Sequence, residues 1–262
     1  MKKKRPLGQN FLNDENVARE IIRLANIRPD GQVLEIGPGK GILTDLLIEK
    51  AGELTAIEID PKLVRDLEKR YRSSPKAILV QGDALKFDYS SIGKDFQVVS
   101  NLPYYAATHI MKRLIHYGSI IHDMTLMLQK EVASRLTAVP GTRDYGSLTV
   151  FTQFNCKVEK LLDVGKSSFS PPPKIDSTVV KLTPLRQPGV EVKDPDTFFR
   201  IVHAAFFHKR KMLKNNFKPL GKFLSIDAKQ IESSGIDLSR RAETLTLQDF
   251  ATISNTVQPK HD

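Results

Sequence analysis

The chain has 262 residues, 40% of them apolar, which is enough for one large domain or for a domain of typical size with a smaller companion. Lys and Arg outnumber Asp and Glu by 40 to 30, and the resulting net charge of +10 points to a polyanionic partner without specifying which. One cysteine, Cys156, excludes an internal disulfide and a multi-cysteine zinc site, and the six histidines fall at no ligand spacing, so no metal is expected.

The chain opens on a basic tail, MKKKR, in which Lys2, Lys3, Lys4 and Arg5 either lie in solvent or meet phosphate. The PLGQNFLND that follows lacks the apolar stretch of a signal peptide, and no run reaches membrane-spanning length, so a reduced, aqueous compartment and no membrane partner are expected. From Gln32 short apolar runs alternate with amphipathic ones, the pattern of a parallel sheet covered by helices. QVLEIG reads as the first strand, GILTDLLIEKA as a helix and LTAIEI as the second strand. PKLVRDLEKRYR reads as a helix with Asp60 as its cap and Pro61 in its first turn. AILVQ, FQVVS and MTLMLQ supply further strands, and between the last two the amphipathic HIMKRLIHYG stops at Gly118.

KEVASRLTAV reads as a helix, after which CKVEKLLDV and STVVKLTPL form two more strands flanking the loop SSFSPPPKID. Cys156 falls in the first of these strands, where a small core thiol is expected. Three consecutive prolines stiffen the loop, which predicts that Phe169 and Lys174 are held out from it. LRQPGVEVKDPD, rich in Pro, Gly and charge, marks a boundary between a first domain over 1–187 and a second over 188–262. The second reads as helical, through TFFRIVHAAFFHKRKMLKNNF, AKQIESSG and TLQDFATISN. On one continuous helix, Phe199, Val202, Phe206 and Leu213 share a face, while Lys211, Lys214 and Lys218 share another that serves either as a solvated surface or as a phosphate contact.

Ligands of open parallel sheets collect at the carboxyl ends of the strands, and three such ends carry informative residues. The first is EIGPGKG, in which Gly37, Gly39 and Gly41 allow a sharp turn and close backbone approach. The second is Glu58, and the third is Asp83 in QGDAL. The spacing is GxGxG rather than the GxGxxG of nicotinamide-binding domains, and Pro38 removes a backbone N–H that a pyrophosphate would use. An acid after the second strand suits ribose hydroxyls, and a carboxylate after the third accepts from an adenine amine. S-adenosylmethionine, which carries no phosphate, fits all three ends.

VVSNLPYYAAT, spanning 98–108, breaks the strand–helix rhythm. Pro103 fixes its own φ and pushes Leu102 towards extended geometry, so no helix starts at Asn101. Asn101 contributes a side-chain acceptor and Tyr104 a flat aromatic face, together a seat for a planar amine such as adenine. The alternative is a plain Asn-Pro-type turn with tyrosines packed beneath it.

Gly8-Gln9-Asn10-Phe11-Leu12, EIGPGKG, the acids Glu58 and Asp83, and Asn101-Leu102-Pro103-Tyr104 resemble, in order and spacing, the rRNA adenine N6-dimethyltransferases. LQKEVASRL, FSPPPKIDS and RRAETL are similar to the small-subunit branch, the KsgA family, over about 8–247. The resemblance implies an α/β fold, with a Rossmann-like class I methyltransferase sheet, helices on both of its faces and a small C-terminal helical domain that binds RNA. It implies dimethylation of N6 on two adjacent adenosines in a 3′-terminal hairpin loop of small-subunit rRNA, in the cytoplasm, by a monomer acting on the immature small ribosomal subunit. Asn10 and Leu12 would line the methionine end of S-adenosylmethionine, and Gly37 and Gly39 would cradle it. Glu58 would take the ribose, Asp83 with Ala84 the adenine, and Asn101 would touch cofactor and substrate alike. Asn101, Leu102, Pro103 and Tyr104 would carry catalysis. Tyr104 would stack on the target base with Phe169 on the opposite face or merely anchoring its loop, and Lys211 and Lys214 would contact the RNA. HKRK at 208–211 departs from the glutamine-arginine-rich version of the family, which concerns only the RNA contacts there.

Overall fold

The structure, a computed structural model, describes residues 10–222 and 224–259. The basic tail at 2–5 and the Gly8 and Gln9 of the first motif lie outside the described residues.

A short strand β1 (Phe11–Leu12) leads into helix α1 (Glu15–Ala25), which the sequence pattern had not marked. Its signals are local: the Asp14 carboxylate caps the Asn16 and Val17 N–H groups, and Asn26 ends the helix in the left-handed region at φ 53°. Then follow β2 (Gln32–Ile36), α2 (Ile42–Lys50), β3 (Glu53–Glu58), α3 (Pro61–Arg70), β4 (Ala77–Gln81), β5 (Phe96–Asn101), α4 (Ala107–His116) and β6 (Ile121–Gln129). All the strands foreseen between Gln32 and Gln129 form, and α3 starts as expected, with Asp60 accepting from Lys62 N–H and Pro61 in the first turn. After α5 (Lys130–Leu136) and α6 (Ser147–Asn155), the chain adds β7 (Cys156–Val164), β8 (Phe169–Ser170) and β9 (Ser177–Pro184).

Seven strands make one sheet in the order β4-β3-β2-β5-β6-β9-β7. The first five run parallel, and β9 is antiparallel to β6. Strands β2, β3 and β5 are buried almost end to end, as strands covered on both faces must be, which is why they read as continuous apolar runs. Helices α1 and α2 pack over Val33, Leu54, Val99, Met127 and Val179 on one face. Alternation sends Leu34, Val98 and Leu126, which are also fully buried, to the other. The strand order turns back between β2 and β5, so the crevice at their carboxyl ends is the switch point of the sheet.

Two compact units result: residues up to Ala133 with Lys157–Pro184, and Ser134–Cys156 with Leu185 onward. The break thus follows Pro184 rather than 187, and α6 is counted with the second unit, not with the first domain. The reason is its side chains: Val150 and Phe154 join the second unit's core, with the Phe154 ring stacked 4.7 Å from Phe198. That core also gathers α7 (Pro195–Ala205), α8 (Leu213–Asn216), α9 (Ala228–Ser233) and α10 (Leu247–Thr256). The single helix expected from Thr197 to Phe217 is in fact two, separated by a turn over 206–212, so the proposed common face of Lys211, Lys214 and Lys218 does not exist as one helical stripe. Cys156 is buried, and burial pushes its thiol up to about 12, as befits a core residue.

Candidate active site

The carboxyl ends of β2, β3, β4 and β5 open into one pocket that brings together Asn10, Leu12, Gly37, Gly39, Glu58, Asp83, Ala84 and all of Asn101–Tyr104. Gly37 and Gly39 both sit at positive φ, 68° and 59°, where a side chain is strained. Space is short as well, because a Cβ on Gly39 would lie 3.0 Å from the Phe11 ring. The Gly37 N–H donates to the Ile57 carbonyl at 2.8 Å, tying the glycine loop to the end of β3.

Glu58 is only 4% exposed and its carboxylate is held by backbone alone: Oε1 accepts from the Ile59 and Asp60 N–H groups at 2.8 and 2.9 Å, and Oε2 from Gly39 N–H at 3.3 Å. Fixed this way, and with no ion pair among the described residues, the carboxylate keeps accepting capacity for a pair of hydroxyls. Asp83 is half-buried and accepts from the Leu85 N–H at 2.9 Å, while the Tyr89 hydroxyl donates to the carbonyl of buried Ala84 at 2.7 Å and fixes that turn.

At the end of β5, the Ser100 hydroxyl donates to the Ile36 carbonyl at 2.5 Å, locking β5 to β2 and presenting Asn101 beside the glycine loop. The Asn101 Oδ1 is buried and, among the described residues, has no hydrogen-bond partner. An orphaned acceptor of this kind costs on the order of 1–3 kcal/mol until something donates to it. Leu102 is buried, its N–H donating to the Met127 carbonyl at 3.3 Å, and the Pro103 carbonyl accepts from Ala106 N–H at 2.9 Å, forming the turn that delays α4. Tyr104 is half-buried with its hydroxyl 2.6 Å from the Ser177 Oγ, and burial raises its phenol above the ordinary range.

Phe169 is not held out by the proline loop as expected. It is 3% exposed and meets the Tyr104 ring edge-on at 6.4 Å. The cause is a pairing between distant segments, in which β8 runs antiparallel to β1, with Phe11 opposite Ser170 and Leu12 opposite Phe169. Ser168 reinforces it by accepting from Asn13 N–H through its carbonyl at 2.9 Å and donating to the Asp14 carboxylate at 3.1 Å. The proline loop therefore fastens the Asn10–Leu12 stretch over the pocket.

Several lining residues escaped the sequence reading. Phe11, with the Lys40 ammonium 5.0 Å above its ring, sits inside the first motif. Tyr105 follows Tyr104 directly and stands 59% exposed at the rim; desolvation, then the nearby Glu58 and Asp83 carboxylates, raise its phenol. Glu35 opens the glycine-loop segment EIGPGKG. It lines the pocket fully buried, accepts from the Thr44 hydroxyl at 2.7 Å, and burial pushes its carboxyl up to about 8 against that hydrogen bond. Repulsion from Glu58 and Asp45 adds to the shift.

In the second unit Lys211 lies in the turn after α7 and Lys214 in α8, both exposed. Among the described residues, no group of three or more His, Cys, Asp or Glu side chains is placed to hold a metal, and no helix is long and apolar enough to cross a membrane.

The pocket suits S-adenosylmethionine on its own chemistry. It offers a backbone-fixed carboxylate, a second acid at the next strand end, glycines that admit close approach, and a buried acceptor that lacks a donor among the described residues. The comparisons agree. A family model described as ribosomal RNA adenine dimethylase matches residues 1–259. A ribosomal RNA small subunit methyltransferase A of Pseudomonas syringae pv. syringae is 41% identical over 256 residues, covering 97% of this chain and 94% of the relative. A protein of the same name from Clostridium acetobutylicum is 41% identical over 255 residues, covering 96% and 92%. The crystal structure of a dimethyladenosine transferase from Plasmodium falciparum matches with a TM-score of 0.79 at 29% identity, covering 93% of this chain and 95% of that one. That of the 23S rRNA methyltransferase ErmE matches at 0.73 and 26%, covering 94% and 99%. The likeness first carried by GQNFL, EIGPGKG and NLPY thus extends over nearly the whole chain, which belongs to the ribosomal RNA adenine dimethylase family of S-adenosylmethionine-dependent methyltransferases.

Proposed function

We propose that this protein dimethylates N6 of two adjacent adenosines in a 3′-terminal hairpin loop of small-subunit rRNA, acting as a cytoplasmic monomer on the immature small ribosomal subunit. The observation that carries the reading is the buried Asn101 Oδ1 at the end of β5, which has no partner among the described residues. It supplies an acceptor where an exocyclic amine would enter. An adenine N6 amine is a poor nucleophile because its lone pair is delocalised into the ring. Donating one N–H to Asn101 Oδ1 and the other to the Leu102 carbonyl turns that lone pair out of the ring plane and aims it into the pocket.

Bound S-adenosylmethionine supplies an electrophilic methyl group on a sulfonium. Neutral acceptors suffice for the amine, since the nitrogen becomes strongly acidic once alkylated and no carboxylate base is needed at Asn101. The contribution of the Asn-Leu-Pro-Tyr turn is therefore mainly orientation. The target base must leave its own stack to reach the turn, and the Tyr104 ring, held by its hydroxyl on Ser177, offers it a replacement face. Phe169 supports that ring from the edge. The second unit, with exposed Lys211 and Lys214, supplies phosphate contacts.

The test is to give the purified protein labelled S-adenosylmethionine with unmodified small subunits, large subunits and free rRNA separately, and to identify labelled nucleosides by digestion and mass spectrometry. Dimethyladenosine confined to small-subunit RNA is expected. Label in large-subunit RNA alone would move the target while keeping the chemistry, and no label in any of the three would overturn the reading.

A further inference from the structure

Two consecutive phenylalanines in the second unit have opposite environments. Phe206 closes α7 half-buried against the core, with its ring 6.0 Å from Tyr145 and 5.7 Å from Phe250. Phe207 is 73% exposed. The turn that displays it is well anchored. Its Phe207 N–H donates to the Ala204 carbonyl at 3.1 Å and its Lys211 N–H to the His208 carbonyl at 3.0 Å. From beneath, the side-chain amide of buried Asn216 donates to the carbonyls of Ala205 at 2.6 Å and His208 at 3.1 Å. The far end is fixed where Met212 bridges Arg241 and the Leu213 N–H donates to the Arg240 carbonyl at 2.9 Å. A buried asparagine is thus committed to shaping a turn that exposes an aromatic ring.

The ring meets the His208 ring edge-on at 4.7 Å and heads a basic run of the chain. His208, Lys209, Arg210 and Lys211 follow it and all are exposed, and among the described residues none of the three basic side chains forms an ion pair. The core of a protein–protein contact is depleted of charge, so this surroundings fits such a partner poorly. Free cations that track a phosphate backbone, beside an aromatic face on which a base can lie, are what single-stranded nucleic acid requires.

We infer that Phe207 is a base-stacking anchor for an unpaired rRNA nucleotide, whose flanking phosphates are met by Lys209, Arg210 and Lys211. The inference rests on the rRNA-modifying reading above and adds a residue that a count of charges overlooks. Stacking is tolerant of base identity, so Phe207 contributes affinity and orientation rather than sequence choice.

The experiment measures equilibrium binding of the full chain to unmethylated small ribosomal subunits over a range of KCl concentrations. Phe207→Ala is expected to weaken binding about ten-fold at every salt concentration with an unchanged salt slope, and Phe207→Leu, apolar but not planar, to fall with it. Phe207→Tyr keeps wild-type binding. Lys209→Gln and Arg210→Gln instead flatten the slope by about one each. Calorimetric binding of S-adenosylhomocysteine, unchanged in every variant, shows that the pocket is intact. Wild-type affinity in Phe207→Ala, or in Phe207→Leu, would overturn the stacking role. Methylation of the same subunits by the wild type is followed in parallel: if it proceeds while Phe207→Ala binds normally, the stacking inference alone fails, and if it does not occur, the functional reading fails and takes the inference with it.

Discussion

The pocket at the strand ends and the turn at 206–212 set out their polar groups in opposite ways. The pocket draws on segments from Asn10 to Tyr105 and fixes two of its acids with backbone, three N–H groups on Glu58 and one on Asp83, with the Ser100–Ile36 bond beside Asn101. The turn is contiguous, exposed from Phe207 to Met212, and among the described residues its Lys209, Arg210 and Lys211 form no ion pair. A reaction that needs a nitrogen, a methyl group and a sulfur in line demands buried groups on rigid strand ends. Capture of a polyanion tolerates mobile side chains, because the field of a lysine falls off slowly with distance.

The sharpest way to break that contrast is Asn101→Ala. If the pocket works by alignment, the loss falls on transfer, and single-turnover rates should drop by about 100-fold or more while cofactor affinity stays within a few-fold. Near-normal transfer in single-turnover assays would remove Asn101 from the reaction. A loss of cofactor binding equal to the loss of rate would make it a cofactor ligand only.

The same contrast explains what could be read from residues alone. Parallel strands buried on both faces announce themselves as apolar runs, so EIGPGKG, Glu58 and the Asn101 turn could be read as strand ends, and Asp83 could be read after the apolar but partly exposed edge strand β4. The α6 segment SLTVFTQFN could not, because its β-branched and aromatic residues are buried around much of the helix and leave no polar stripe to mark the helical period. Nor could the burial of Phe169, which depends on β8 finding β1 far back in the chain. The break between α7 and α8 depends on the Asn216 amide reaching back to Ala205 and His208, a contact no local propensity encodes.

Glu35 sharpens the comparison from the side of stability. Its carboxyl, raised to about 8 in the folded chain from an ordinary 4.5, stays protonated when folded and ionises when unfolded over the interval between. Folding therefore takes up a proton there, and the contribution to stability, complete below about pH 4.5, is lost as pH rises through about 8. Denaturant midpoints of the wild type should fall from pH 5 to pH 8.5, and Glu35→Gln, which still accepts from the Thr44 hydroxyl, should flatten that fall. Equal pH profiles for the two proteins would show that Glu35 is ionised in the fold, and that the pocket is more polar than its burial implies.

The smallest expected effect separates two lysines on the other side of the comparison. Lys214 lies near Asp237, whose carboxyl is held below the ordinary range by hydrogen bonds from Ser239 and then by the charges of Arg240 and Lys214. Lys211 sits in the turn with no ion pair among the described residues. A cation already facing a carboxylate releases fewer counterions when RNA binds, because part of its field is spent within the protein. Lys211→Gln should therefore lower the salt slope of RNA binding by about one, and Lys214→Gln by less. Reversing both to Glu should weaken binding further and flatten the slope again. If instead Lys214→Gln lowers the slope as much as Lys211→Gln, Asp237 does not shield Lys214 and the RNA-contacting surface extends from the turn along α8; if neither changes it, phosphate contact belongs to Lys209 and Arg210 alone.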